Sequence, residues 1–167
     1  MTTNVRKPPP NISDRGFTLI ELMVTLLILA LLASTAVPMT QIAFKRHKEE
    51  ELRRALVTIR DALDNYKKAT DEGRIDKGAS DSGYPAALGM LVTGVVDTTS
   101  PAPKKLYFLR RIPRDPFATD PDDSNDTTWG KRSYESEADD PKEGVDIYDI
   151  YSRSSDVGLN GIPYREW

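Results

Sequence analysis

One stretch of this sequence sets a chemical problem that it cannot solve alone. From Phe17 to Phe44 the chain runs FTLIELMVTLLILALLASTAVPMTQIAF, 28 residues in which Glu21 is the only ionisable side chain. An acidic residue at the centre of a membrane helix costs roughly 2.5 to 3.5 kcal/mol on insertion scales, and where one persists it marks function. Glu21 therefore needs a partner. Elsewhere the parts for catalysis are missing. With no cysteine and a single histidine, His47, neither a zinc site nor a Cys/His or Ser/His/Asp arrangement can be assembled. His47 itself sits in the basic cluster Lys45 to Lys48 and reads as one more solvated side chain. Asp139-Asp140 falls in a proline-containing acidic loop. Asp120, Asp122, Asp123, Asn125 and Asp126 place oxygens at alternate positions, as a calcium loop does, yet lack the glycine and distal glutamate of an EF-hand. That segment reads as a disordered, solvated loop, and the chain as a protein that is not an enzyme.

The elements that would position Glu21 follow from the patterning around it. Met1 to Gly16 is polar, carries Arg6, Lys7, Pro8, Pro9, Pro10, Asp14 and Arg15 without apolar periodicity, and is expected to be disordered. The apolar run 17–44 exceeds the about 20 residues that a membrane span takes. Past it, Leu52, Ala55, Leu56, Ile59, Ala62, Leu63 and Tyr66 recur at helical spacing, with Glu49, Arg53, Arg54, Arg60, Asp61 and Lys67 assigned to the opposite face. One helix is expected from about Phe17 to about Ala69, on the order of 80 Å long at 1.5 Å per residue. Pro38 should kink it, since it lacks an amide donor and crowds the carbonyl four residues earlier. Gly73 suits its stop.

The remainder, from about Asp71, is rich in turn formers and short apolar runs. Ala86 to Val92 reads as a short helix, and Ser133 to Ser136 and Val145 to Tyr151 read as strands. The economical architecture is α+β, a long amino-terminal helix packed on a small antiparallel sheet. About 120 residues outside the membrane suffice for one modest core. A net charge of −3 gives no reason to expect nucleic-acid binding. Lys104 to Arg114 carries five basic residues and no acid, and Asp115 to Asp149 twelve acids and three bases. Such opposed patches could pair subunits, although solvated loop charge accounts for them as well.

The segment Arg15-Gly16-Phe17-Thr18-Leu19-Ile20-Glu21-Leu22 resembles the type IV prepilin signal, a polar leader ending in glycine followed by phenylalanine and an apolar helix. The resemblance implies cleavage between Gly16 and Phe17 by a membrane-embedded prepilin peptidase, with methylation of the new terminus. It also implies that Glu21 faces the Phe17 amine of a neighbouring subunit during assembly, a pairing that removes two otherwise unpaired charges from a low dielectric. The leader 1–16 would lie in the cytoplasm, 17–44 would be the transmembrane and assembly helix, and 45–167 a periplasmic pilin-like globular domain.

Further along, Tyr84-Pro85, the run Tyr107 to Phe117, Trp129-Gly130, Tyr148-Asp149-Ile150-Tyr151-Ser152 and Trp167 are similar to the major pseudopilin, the G subunit, of type II secretion systems. Two departures stand out. Eleven residues, Ala118 to Thr128, separate the Asp-Pro-Phe from the Trp-Gly that usually adjoin in that family. The tail 152–161 is shorter and less acidic than the family's calcium loop. The resemblance implies calcium at Ser152, Asp156 and Asn160, whereas the residues equally suit a tight loop held by its own hydrogen bonds, with Gly158 and Gly161 at positive φ. The function implied is that of a structural subunit of a type II secretion pseudopilus, anchored singly in the bacterial inner membrane. Its partners would be copies of itself, other pseudopilins, the prepilin peptidase and the inner-membrane assembly platform. A type IV pilin of a surface pilus and a membrane-tethered periplasmic binding module are the alternative readings.

Overall fold

The computed structural model describes residues 16–77 and 82–167, with the side chains of 35–39 left out. The leader 1–15, expected to be disordered, and the side chain of Pro38, expected to kink the helix, lie outside the described residues. Two compact units divide between Ile42 and Ala43.

Helix α1 spans Leu19–Asp71. Thr18 starts it, its hydroxyl accepting the Glu21 N–H at 3.3 Å while its carbonyl accepts from Leu22 N–H at 3.1 Å. This is the acceptor half of a Thr-x-x-Glu cap, which satisfies an amide left orphaned at a helix start. Among the described residues of the first unit the large apolar side chains are exposed, with Phe17 78%, Leu19 77% and Met23 63% exposed. Thr25 and Ser34 turn their hydroxyls onto the Leu22 and Leu31 carbonyls of the same helix, so those polar groups need no water. Among the described residues no helix is long and apolar enough to cross a membrane. The span expected over 17–44 includes 35–39, and the described stretch Leu19–Ser34 is by itself shorter than the about 20 residues a span takes.

From Ala43 onward α1 is one-sided. Leu52, Ile59 and Leu63 are fully buried or nearly so, with Leu56, Ala62 and Tyr66 beside them, the stripe expected from a 3.6-residue period. The helix ends where the sequence places its stop. Gly73 takes φ 73°, and Arg74 N–H returns to the Ala69 carbonyl at 2.9 Å, closing the last turn through a left-handed residue.

The rest of the unit lies on that stripe. Helix α2, Gly89–Thr93, is a single turn that buries Leu91 and is ended by Gly94; it falls on the second half of the expected Ala86 to Val92 and ends at Thr93. Strands β1 (Val95–Val96) and β2 (Lys105–Leu106) form one antiparallel pair, β3 (Trp129–Arg132) and β4 (Asp149–Ser152) the other. Two ribbons thus stand where a single sheet was expected. The strands coincide only in part with those expected: Asp149, Ile150 and Tyr151 of the expected Val145 to Tyr151 pair in β4, whereas β3 ends before Ser133. Ser133–Ser136 is a turn, because the Ser133 hydroxyl accepts Glu135 N–H and its carbonyl Ser136 N–H, local bonds that compete with a ladder. Val145 to Tyr148 precedes β4 without pairing as a strand, Ile147 N–H going instead to the Pro85 carbonyl. Leu88, Leu91, Trp129, Ile150 and Tyr164 close the core over α1.

The Ala118 to Thr128 insertion is folded back rather than disordered. Arg114 donates to the Asp120 and Asp123 carbonyls, Asn125 to the Ile112 carbonyl at 2.8 Å, and the Thr128 hydroxyl accepts Asp115 N–H. The insertion therefore leaves Asp-Pro-Phe and Trp-Gly tied to one another through Asp115 and Thr128.

Gly130 faces Tyr151 across β3 and β4, and a Cβ there would lie 2.3 Å from the tyrosine ring. Gly130→Ala is predicted to lower stability by about 1–3 kcal/mol, the usual cost of overpacking. A lowered midpoint in denaturant melts checks it, and an unchanged midpoint contradicts this packing.

Candidate functional site

Two places answer to the site residues read from the sequence. At the first, Gly16, Phe17, Thr18 and Glu21 line one shallow cleft. The Gly16–Phe17 bond is open to approach, since both residues are exposed and a Cβ on Gly16 would meet nothing within 4 Å. Among the described residues nothing thus demands glycine at 16, and a requirement for it would be met by whatever binds the backbone there. Glu21 is exposed on the first turn of α1, where a carboxylate is favoured by the orphan amides of the helix start. Its backbone is capped by Thr18, a role that the Thr-x-x-Glu spacing carries and that the sequence reading passed over.

The second place is the carboxyl-terminal loop. Of Ser152, Asp156 and Asn160, two have side-chain oxygens engaged within the chain. The Ser152 hydroxyl donates to buried Asp115 at 2.6 Å, and Asn160 Oδ1 accepts the Ile162 N–H at 3.0 Å. Asp156 contributes its backbone, accepting Tyr164 N–H at 3.1 Å and donating to the Ser154 hydroxyl. Calcium takes six to eight oxygens, and this trio offers one carboxylate with two oxygens already engaged. Among the described residues no group of three or more His, Cys, Asp or Glu could hold a metal ion. Gly161 has the expected positive φ of 81°, but Gly158 does not; it is needed for space, since a Cβ there would meet the Trp167 ring at 2.5 Å.

What holds the loop is Glu49, which sequence reading had put on the solvent face of α1. It is 8% exposed, and its Oε1 accepts the Leu159 N–H at 2.7 Å and the Tyr164 hydroxyl at 2.9 Å. The signal was its spacing, three residues before Leu52 on the buried stripe, overridden by its charge. Arg60, also assigned outward, donates to Asp149 Oδ1 at 2.8 Å and to the Ile150 and Trp167 carbonyls. Burial and the Glu49 carboxylate hold the Tyr164 phenol above the ordinary tyrosine range. At the far end of the helix Asp97 is held below the ordinary carboxylate range by the Thr99 hydroxyl and by Arg74, whose Nη2 lies at 2.9 Å.

A long amino-terminal helix bearing small antiparallel ribbons, opened by an exposed Gly-Phe bond and a first-turn glutamate, defines a pilin-like protein. Residues 12–37 match the prokaryotic N-terminal methylation motif. The chain is 32% identical over 111 residues to the type II secretion system core protein G of Pectobacterium carotovorum subsp. carotovorum, covering 64% of each. It is 30% identical over 112 residues to that of Klebsiella michiganensis, covering 65% of this chain and 71% of the relative, and 31% identical over 108 residues to that of Vibrio cholerae. The chain belongs to the family of type II secretion system core protein G. It spans just under two thirds of the length of the Pectobacterium relative. No solved structure matches it significantly.

Because the folded chain keeps the Tyr164 proton at a pH where the unfolded chain has lost it, folding stability must fall as pH rises past the ordinary tyrosine pKa of about 10. Tyr164→Phe is predicted to flatten that alkaline decline, at the cost of leaving Glu49 one donor short. Melting midpoints measured from about pH 8 to about pH 11 test this. Equal slopes in the two proteins would show that Tyr164 is not held as described.

Proposed function

We propose that this protein is a structural subunit of a type II secretion pseudopilus. It is cut after Gly16 by a prepilin peptidase, methylated on Phe17, anchored by the 17–44 helix in the inner membrane with 45–167 in the periplasm, and polymerised through that helix. The observation that carries the reading is the cleft Gly16-Phe17-Thr18-Glu21 at the head of a helix whose large apolar side chains from Leu19 to Leu32 are exposed. So much exposed apolar surface must be covered, by lipid before assembly and by neighbouring helices after it. Cutting at Gly16 frees an amine four residues from Glu21, and in a bundle of such helices the amine of one subunit can meet the carboxylate of the next. Each addition then buries a neutralised pair rather than two charges. The names of the relatives support secretion over a surface pilus. Assembly on an inner-membrane platform with other pseudopilins belongs to the same proposal, and no chemical reaction is assigned to the chain.

Processing is the first test. Cells with a prepilin peptidase should yield a product beginning at Phe17, heavier than the unmodified fragment by one methyl group, seen by intact mass of the membrane-extracted protein. A terminus still at Met1 in such cells would sink the assignment.

Calcium at Ser152, Asp156 and Asn160 remains a proposal of the family resemblance. A ion bound only by the folded chain would raise its stability by RT ln(1 + [L]/Kd). Given the engaged Ser152 and Asn160 oxygens, the detergent-solubilised chain is predicted to melt alike in millimolar calcium and in chelator. A rise in calcium that is lost in Asp156→Ala would restore the metal.

A further inference from the structure

The loop held by Glu49 presents an apolar tip that the domain leaves about half exposed. Val157, Leu159 and Ile162 are each 45% exposed. Their exposure is built in, because the loop is closed by Gly158 N–H to the Ile162 carbonyl at 2.8 Å and by Gly161 N–H to the Gly158 carbonyl at 3.0 Å. Trp167 backs it, its indole N–H donating to the Ile162 carbonyl. The tip is also fixed in height along α1. Lys45 Nζ donates to the Val157 carbonyl at 2.6 Å and Glu49 takes the Leu159 N–H, so the loop lies against the first turn of the helix inside this unit.

That turn has a directional charge pattern. Phe44, 72% exposed, is followed by Lys45, Arg46, His47 and Lys48, and only then by Glu49, Glu50 and Glu51. Of the cations, Arg46 and Lys48 are exposed; of the acids, Glu49 is buried and Glu50 pairs with Arg54. Asp156 is the acid at the base of the tip, and it too is exposed. From Phe44 to Glu49 the helix rises about 7.5 Å. One headgroup layer is of similar depth, about 5–8 Å, from the difference between the hydrocarbon core and the whole bilayer.

We propose that the tip Val157, Leu159, Ile162 and the cations Arg46 and Lys48 form a lipid-contact surface. With the apolar helix in the bilayer, the three side chains enter the interfacial layer while the cations meet anionic headgroups. Apolar side chains beside Lys and Arg are the composition that lies in such an interface. The contact fixes the height and rotation of the domain on the membrane, and it must be given up when a subunit leaves lipid for the fibre. It rests on the membrane-anchored reading given above.

The chain has no cysteine, so a single introduced one carries a label without background. Leu159→Cys labels the tip, and Val96→Cys, at a residue 51% exposed in a ribbon joined to the opposite end of α1 through Thr98 N–H and the Arg74 carbonyl, is the control. The full chain, labelled with an environment-sensitive fluorophore, is reconstituted into phosphatidylcholine vesicles with and without phosphatidylglycerol, each containing a headgroup-level quencher. The label at 159 should be quenched about twofold or more over that at 96, more strongly with the anionic lipid, and Arg46→Gln should reduce that increment. Equal quenching at 159 and 96 in a chain that resists carbonate extraction would overturn the lipid contact and leave the anchoring intact. A chain released by carbonate would overturn both. Shielding at 159 that follows the protein-to-lipid ratio and ignores the quencher would mean that a second copy covers the tip, and would overturn the lipid assignment.

Discussion

The buried stripe of α1 is the constraint on which residues 43–167 depend. The two ribbons are strands of two and four residues, and an isolated two-stranded hairpin is marginal at best in water. Neither could persist without Leu52, Leu56, Ile59, Leu63 and Tyr66 beneath it. Apolar contact alone does not fix where irregular segments lie, however, and three ionised groups do so. Glu49 takes the 157–164 loop, Arg60 takes β4 and the Trp167 carbonyl, and Arg74 takes Asp97 in the connection between β1 and β2. Each couples a long-range contact to one rung of the helix or to the residues just past its end. The domain is thus a helix with its loops pinned along it.

That arrangement explains which parts could be read from the sequence. The helix was legible because its period persists over many turns, and its stop because Gly73 must take a left-handed conformation that other residues resist. At the amino terminus Gly16, Phe17 and Glu21 stand together at the head of an apolar run, which is enough to bring them to one cleft. The ribbons were misplaced because two-to-four-residue strands carry too little alternation to be distinguished from apolar loop. Ser133 to Ser136 and Val145 to Tyr148 look as strand-like in sequence as the residues that pair. Glu49 and Arg60 mislead for a different reason: charge implies solvent, whereas spacing puts Glu49 on the inner face and a distant segment supplies its partners. The insertion at 118–128 was judged by its acidity, whereas Arg114 and Asn125 fold it through backbone carbonyls that composition does not reveal.

The same helix meets two environments in succession. From Leu19 to Leu32 the large apolar side chains are exposed, and from Leu52 to Tyr66 most of them are buried on one stripe. On the proposed reading the first part exchanges lipid for neighbouring helices while the second keeps its domain unchanged, so that growth of the fibre moves folded subunits rather than refolding them. On that same reading the carboxylate of Glu21, the one ionisable side chain in 17–44, distinguishes these surroundings, being costly in lipid and neutralised against a neighbour's amine.

Glu21→Leu therefore tests the central claim most directly, with cross-linking between subunits in membranes and recovery of sheared fibres measured alongside cleavage at Gly16. The account predicts normal insertion and cleavage, an unchanged fold beyond Ala43, and a large loss of cross-linked and fibrous material. Wild-type assembly by a normally processed Glu21→Leu protein would contradict it.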